Sequence, residues 1–224
     1  MRAEVAVPPE VAGPKERQAT ICVFAKPPIA GQVKTRLAAA LGTEGAARLA
    51  RAFLEDTLEA VRLLPWARCV LATTGPIEVD LPLIQQGEGD LGARIERVLR
   101  AALALTPRAL AIGADAPALP LRLLEAARVA LERSDAVLGP AEDGGFYLLG
   151  VRSCPEGLLA DLPWSAADTC ARTEERLRQR GLRVELLETW FDVDVPDDLQ
   201  RLRAELVRGG IVAPRTERVL KELA

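Results

Sequence analysis

Histidine is absent from all 224 residues. Without an imidazole there is no Ser-His-Asp triad, no histidine general base and no His-ligated zinc. Acid–base and metal chemistry then rest on carboxylates, whose hard oxygens favour magnesium or manganese, while lysine and arginine meet anions. Paired cysteines are missing too. Cys22, Cys69, Cys154 and Cys170 form no C-x-x-C, and two lie inside apolar strand-like runs. Buried free thiols in a reducing cytoplasm are the expectation. No excess of basic residues marks a nucleic-acid binder, because the net charge is −3. No apolar run approaches a membrane span: AALAL stops before Thr106–Pro107. Residues 1–18 hold Pro8, Pro9, Gly13 and Pro14 but no apolar signal segment, and read as a flexible arm before a domain over 19–224. A chain that is 49% hydrophobic and 27% charged supplies one sizeable core, so a single domain is expected.

Lysine is also scarce, with four in the chain, and two of these, Lys26 and Lys34, bracket the loop KPPIAGQVK. What surrounds that loop is an alternation of strand-length apolar runs and helical patterns. TICVFA (20–25), RCVLATT (68–74), LPLIQQ (81–86), ALAIGAD (109–115), AVLGP (136–140), FYLLG (146–150) and LRVELL (182–187) read as strands. Helices are expected over 45–64, 91–105, 121–134, 165–180 and 196–208. Such alternation predicts an α/β fold, a mostly parallel sheet with helices on both faces. Ligands of such sheets bind beyond the carboxyl ends of the strands, so the loops after the strands hold the candidate residues.

In the first loop Gly31 permits a tight turn, and Pro27 and Pro28 stiffen the approach. Lys34, Thr35 and Arg36 fall near a helix start, where free N–H groups favour anions. A P-loop is excluded, since Pro28 and Val33 stand where its glycines would be. In GADAP, Asp115 lies just past a strand and is placed to hold a metal. FDVDVPDDL offers Asp192 and Asp194 on one side of an extended segment, while Asp197 and Asp198 suit the first turn of a helix with Pro196 at N1. One of the first two aspartates is expected to join Asp115 on a divalent cation, which would relieve their repulsion. AVLGPAEDGGFYLLG predicts a β-hairpin, with Asp143, Gly144 and Gly145 available to a sugar or an acceptor.

Gly87–Gly92 matches G-x-G-x-x-G, with Asp115 further on as an acidic partner. Glu88 and Asp90 would oppose a pyrophosphate there, so a dinucleotide site is not expected. Gln85 and Gln86 suit hydrogen bonds to a base or sugar. PWSAADT reads as a helix start capped by Ser165 with Asp168 three residues on.

PPIAGQVKTRLAAALG, GDLGARI, GADAPAL, GPAEDGGFYLLG, PWSAADT and FDVDVPDDL, in this order, resemble the small bacterial GT-A-type transferases of unknown function, also described as radical-SAM/selenodomain-associated transferases. The resemblance spans about residues 20–208. More distantly the pattern is similar to molybdenum-cofactor nucleotidyltransferases and phospholactate guanylyltransferase. It implies a nucleotide-diphospho-sugar transferase fold, GT-A and Rossmann-like. It also implies nucleotide phosphates on Gly31 and Lys34, and Mg2+ (or Mn2+) on Asp115 and on Asp192 or Asp194.

The combined expectation is a cytoplasmic, metal-dependent transferase acting on a nucleotide. Lys34 and Asp115 are its catalytic candidates. Lys26, Gly31, Lys34, Thr35, Arg36 and Gln85 bind the nucleotide, and Asp143, Gly144 and Gly145 the acceptor. Nucleotidyl transfer to a small phosphorylated acceptor comes first; glycosyl transfer from a nucleotide-sugar and a non-catalytic nucleotide-binding module remain as alternatives. Base, acceptor and oligomeric state stay open.

Overall fold

Residues 17–116 and 119–223 are described by a computed structural model, and the sequence-predicted arm falls almost wholly outside them. The first strand, β1 (Ala19–Ala25), is buried along most of its length. So are β2 (Ala67–Thr73) and β4 (Ala109–Gly113). Continuous burial is what a central parallel strand needs when helices cover both faces. β3 (Leu83–Gln85), β5 (Ala136–Pro140), β6 (Phe146–Val151) and β7 (Val184–Leu186) complete a seven-stranded sheet in the order β3-β2-β1-β4-β6-β5-β7. Among the described residues only β6 runs against its neighbours, β4 and β5. With β5 it forms the hairpin expected from AEDGG.

Among the described residues six helices cover the sheet: α1 (Ala38–Arg62), α2 (Leu91–Leu103), α3 (Leu121–Arg133), α4 (Thr169–Gln179), α5 (Pro196–Arg208) and α6 (Pro214–Glu222). Alternate strand residues feed opposite faces. Ile21 and Val23 pack with Leu54 and Leu58 of α1 and Leu124 of α3. Cys22 and Val70 pack with Val98 and Leu99 of α2 and Leu177 of α4. All four cysteines are buried and unpaired, and burial pushes the Cys22 thiol up to about 12. A third apolar cluster joins Leu49 and Phe53 of α1 to Phe191, Val193, Leu202 of α5 and Leu220 of α6.

Several boundaries differ from the sequence expectation. α1 begins seven residues before Gly45, with Gly42 at φ +71° breaking its first turn from the rest. α4 starts at Thr169 and not Ser165, because Ser165 sits at φ +61° and the Thr169 hydroxyl ties the segment back, donating to the Pro163 carbonyl at 2.7 Å. α6 was not anticipated. Its N-terminus is held by the buried Asp56 carboxylate of α1, which accepts from Arg215 N at 3.1 Å and Thr216 N at 2.8 Å.

Strand order turns back between β1 and β4, since β2 and β3 lie to one side of β1 and β4 to the other. β1 and β4 are parallel neighbours, so the loops leaving them emerge side by side over their carboxyl ends, and both lead to helices, α1 and α3, on the same face. Among the described residues, no helix is long and apolar enough to cross a membrane.

Candidate functional site

The loop after β1 turns at Gly31 (φ +78°), where a side chain would meet open space. Three residues later Lys34 takes φ +46°, a conformation that costs an ordinary residue about 1–2 kcal/mol. Side-chain contacts offset that strain. The Lys34 ammonium reaches Asp115 Oδ1 at 2.7 Å and Asp194 Oδ1 at 2.7 Å, and donates to the Val193 carbonyl at 2.8 Å. It also lies 5.8 Å from the centre of the Phe53 ring of α1. The side chain is only 5% exposed, whereas Asp115 is 61% and Asp194 42% exposed. Burial works against the ammonium charge, but Asp115 and Asp194 more than offset it and hold the group above the usual lysine range.

Backbone bonds align the three loops that meet here. Ala114 N donates to Phe24 O at 3.1 Å, tying the end of β4 to β1, and Val193 N donates to Asp115 O at 3.0 Å. The Asp198 carboxylate, in the first turn of α5, accepts from Asp194 N and Val195 N, both at 2.8 Å. Asp198 is thus the acid of a half capping box, reaching back over the helix start that Pro196 opens. Asp194 is held in place by the helix that follows it.

A cleft of about 730 Å³ opens over these groups. Lys26, Lys34, Thr35, Arg36, Asp115 and Asp194 all line it, so the basic loop and two of the three metal candidates share one space. Gly31 shapes the loop without lining the cleft. Gln85 does not line it either: it is exposed on β3, and strand alternation turns its neighbour Gln86 inward instead. Arg94, Asp90 and Ser165 also line the cleft, although their residue types and local spacing gave no functional signal.

Asp192, the third metal candidate, is half-buried and does not line the cleft. Burial, then the charges of Asp143 and Asp194, push its carboxyl up to about 6. Asp143 is exposed and its Oδ1 accepts from Gly145 N at 2.8 Å, an Asx-turn that closes the hairpin. Gly144 offers no open backbone to a sugar. The space a Cβ would take is filled by the Ala167 carbonyl, and Gly144 O accepts from Cys170 N at 2.8 Å. This glycine is required by close packing of the hairpin against the start of α4.

The G-x-G-x-x-G stretch is likewise taken up internally. Asp90 caps α2, accepting from Ala93 N at 2.8 Å, while Arg94 and Arg97 bond the Gly89 and Glu88 carbonyls. A Cβ on Gly92 would come within 2.8 Å of both Leu159 O and the Trp164 ring. A helix start already carrying a carboxylate leaves no place for pyrophosphate.

The donor set suits a hard cation of the magnesium type. Asp115 and Asp194 each give one oxygen to Lys34, the other oxygen of each meets no partner among the described residues, and both side chains line the cleft. Magnesium is commonly held by one or two carboxylates, with substrate phosphates and water completing its shell. An all-protein cage does not fit: among the described residues no group of three or more His, Cys, Asp or Glu has metal-binding spacing.

The family described as "Uncharacterized protein conserved in bacteria (DUF2064)" matches residues 50–166. Among solved structures, a protein of Desulfovibrio desulfuricans G20, provisionally described as a nucleotide-diphospho-sugar transferase, is 32% identical, with a TM-score of 0.73 over 80% of this chain and 83% of its own. At lower identity the fold recurs in the 4-diphosphocytidyl-2C-methyl-D-erythritol synthase of Anaerococcus prevotii DSM 20548, 10% identical with a TM-score of 0.56 over 85% of this chain and 99% of its own. A CMP:2-keto-3-deoxy-manno-octonic acid synthetase in complex with CTP is 14% identical, with a TM-score of 0.54 over 86% of this chain and 99% of its own. No curated protein matches the chain.

Proposed function

This chain belongs to the DUF2064 family of bacterial proteins, and from its cleft we propose that it is a metal-dependent transferase that moves a nucleotidyl group from a nucleoside triphosphate to a small phosphorylated acceptor. The observation that carries the reading is the pair Asp115 and Asp194, remote in sequence, joined on one buried lysine and facing the cationic rim of Lys26 and Arg36. The nucleotide-diphospho-sugar transferase fold supports it.

In this reading Asp115 and Asp194 would hold Mg2+ or Mn2+. When bound, the cation would neutralise phosphate oxygens and so ease attack at phosphorus. Lys26, Arg36 and the Thr35 hydroxyl meet the polyphosphate from the first loop. Lys34 has another part from the one its sequence position suggests. An ammonium has three protons, and Asp115, Asp194 and Val193 take all three. From beneath, it holds the two acids in register and offsets their repulsion. No histidine is needed, because an acceptor phosphate is already ionised and the protein's task is positioning and charge stabilisation.

A second reading, glycosyl transfer from a nucleotide-sugar, is favoured by the likeness to the Desulfovibrio protein described as a nucleotide-diphospho-sugar transferase. Incubation with magnesium, nucleoside triphosphates and phosphorylated acceptors should release pyrophosphate, and Asp115→Ala should abolish that release. Nucleoside diphosphate released from a sugar nucleotide would replace the first reading by the second. Tight nucleotide binding that survives Asp115→Ala, with no turnover of either kind, would make the protein a binding module.

A further inference from the structure

A second cavity, of about 330 Å³, opens at the end of the sheet away from the cleft. Its lining includes Arg17 ahead of β1, Arg62 at the end of α1, and Arg68 and Cys69 in the first half of β2. The length of β2, roughly 20 Å, separates it from the carboxyl ends of the strands. Elsewhere arginines of this chain meet carboxylates, as Arg122 meets Glu188, Arg133 meets Glu185 and Arg201 meets Glu142. Here they do not. The lining has no acidic side chain, and among the described residues Arg17, Arg62 and Arg68 make no ion pair. Main-chain carbonyls aim two of them: Arg17 donates to Ala67 O, and Arg62 to Asp80 O at 2.8 Å. A guanidinium has five N–H donors, so one bond each leaves most of them to a ligand. Burial pushes the Cys69 thiol up to about 11 against the pull of the Arg62 charge, so at neutral pH it adds no counter-charge.

The bare edge of β2 adds a main-chain donor. Trp66 O accepts from Gln18 N and Ala19 N on the β1 side, while Leu71 N donates to Pro82 O on the β3 side. Alternation along the strand therefore turns the Cys69 N–H toward β3 as well. Pairing with β3 begins only at Leu71, so Cys69 lies beyond the ladder. Two features stop the ladder there. Pro82 has no N–H to return to the Cys69 carbonyl, and Asp80 O, next in line for the Cys69 N–H, is bonded by Arg62 instead.

We propose that this cavity is a second anion site, separate from the cleft, that takes a small molecule carrying a phosphoryl group. Three cations without a counter-charge repel one another, and a bound dianion removes that repulsion. One arginine fork satisfies a carboxylate, whereas a phosphoryl group presents three oxygens to forks arriving from different elements. The Cys69 N–H gives a further donor at the wall. A volume at the lower end of the range for ligand pockets suits a compact molecule, with Leu81 and Pro82 against its organic part. The inference stands apart from the transferase reading, since no residue is shared with the cleft.

The test is calorimetric titration of the whole protein with pyrophosphate, at low salt and in EDTA so that no divalent cation joins the cleft. The parent is compared with the double variants Arg62→Gln with Arg68→Gln, and Lys26→Gln with Arg36→Gln. Loss of the two cavity arginines should weaken binding at one site on the order of tenfold to a hundredfold, and the cleft variant should keep that site. Hydrogen exchange in the parent locates the site whatever the variants' stability: pyrophosphate should slow exchange of the Cys69 amide. No binding to the parent overturns the inference. So does binding lost only with Lys26 and Arg36, or protection confined to residues 26–36, and these two outcomes leave the transferase reading untouched. Citrate binding as tightly as pyrophosphate would overturn the assignment to a phosphoryl group.

Discussion

Lys34 is one of four lysines in a chain with many arginines, and its contacts give a physical reason. A compact ammonium on a flexible stem directs three protons to three different oxygens, which the planar fork of arginine cannot do in the same space. Lys34→Met should remove the charge while keeping the stem. Destabilisation of about 1–3 kcal/mol is expected in urea melts without metal, below the full penalty for a buried pair because both acids reach water. Added Mg2+ or Mn2+ should restore more stability to the variant than to the parent, since the two acids then lack their counter-charge. Equal metal effects on both proteins would remove Lys34 from its place as the internal counterion. Asp192 makes the opposite kind of contribution. Its carboxyl is pushed from the usual 3.8 up to about 6, so between those values the folded protein holds more protons than the unfolded chain. Stability then falls as pH rises through that window, and above it the cost is fully present. Asp192→Asn should therefore raise the melting temperature at neutral pH, with the gain fading towards about pH 4. A gain that grows on acidification would contradict the sign.

At the scale of elements, the strands were the most legible part of the sequence. Residues such as Ile21 and Cys22 face different helical layers, yet both are buried, so β1 and β2 carry unbroken apolar runs that show without an alignment. Asp-Gly-Gly marked the hairpin, and Pro196 with Asp198 marked the start of α5. Where the reading slipped, a remote partner outweighed a local signal. Ser165 and Asp168 look like a capping pair, but the Thr169 hydroxyl closes that turn. The nine residues of α6 are too short to stand alone, and Asp56 of α1 satisfies its first N–H groups. Gly31 and Gly144 show the same contrast, both with positive φ but in different surroundings. Gly31→Ala should cost about 1 kcal/mol, because only the backbone objects. Gly144→Ala drives a methyl into the Ala167 carbonyl and should cost about 3 kcal/mol or more. Thermal melts that rank the two the other way would show that the hairpin and the α4 start can part without penalty.

Over the whole molecule, the chain carries a net charge of −3, yet its cleft gathers Lys26, Lys34, Arg36 and Arg94 above the sheet edge. Topology produces that concentration. β1 and β4 are parallel neighbours, so the loops after them emerge side by side, and the late segment 192–194, just before α5, joins them through the bond from Val193 N to Asp115 O. The sequence alone determined the α/β alternation, the loops that carry charge, and the restriction to carboxylate, lysine and arginine chemistry. These follow from local periodicity, local turn signals and the absence of histidine. Tertiary structure decided that Lys34 is engaged by its own chain, that Gln86 and not Gln85 turns inward, and that Ala167 fills the space at Gly144. Each of those outcomes is a contact between segments distant in the chain, and the spacing of residues along one segment carries no information about which atom of another will arrive opposite it.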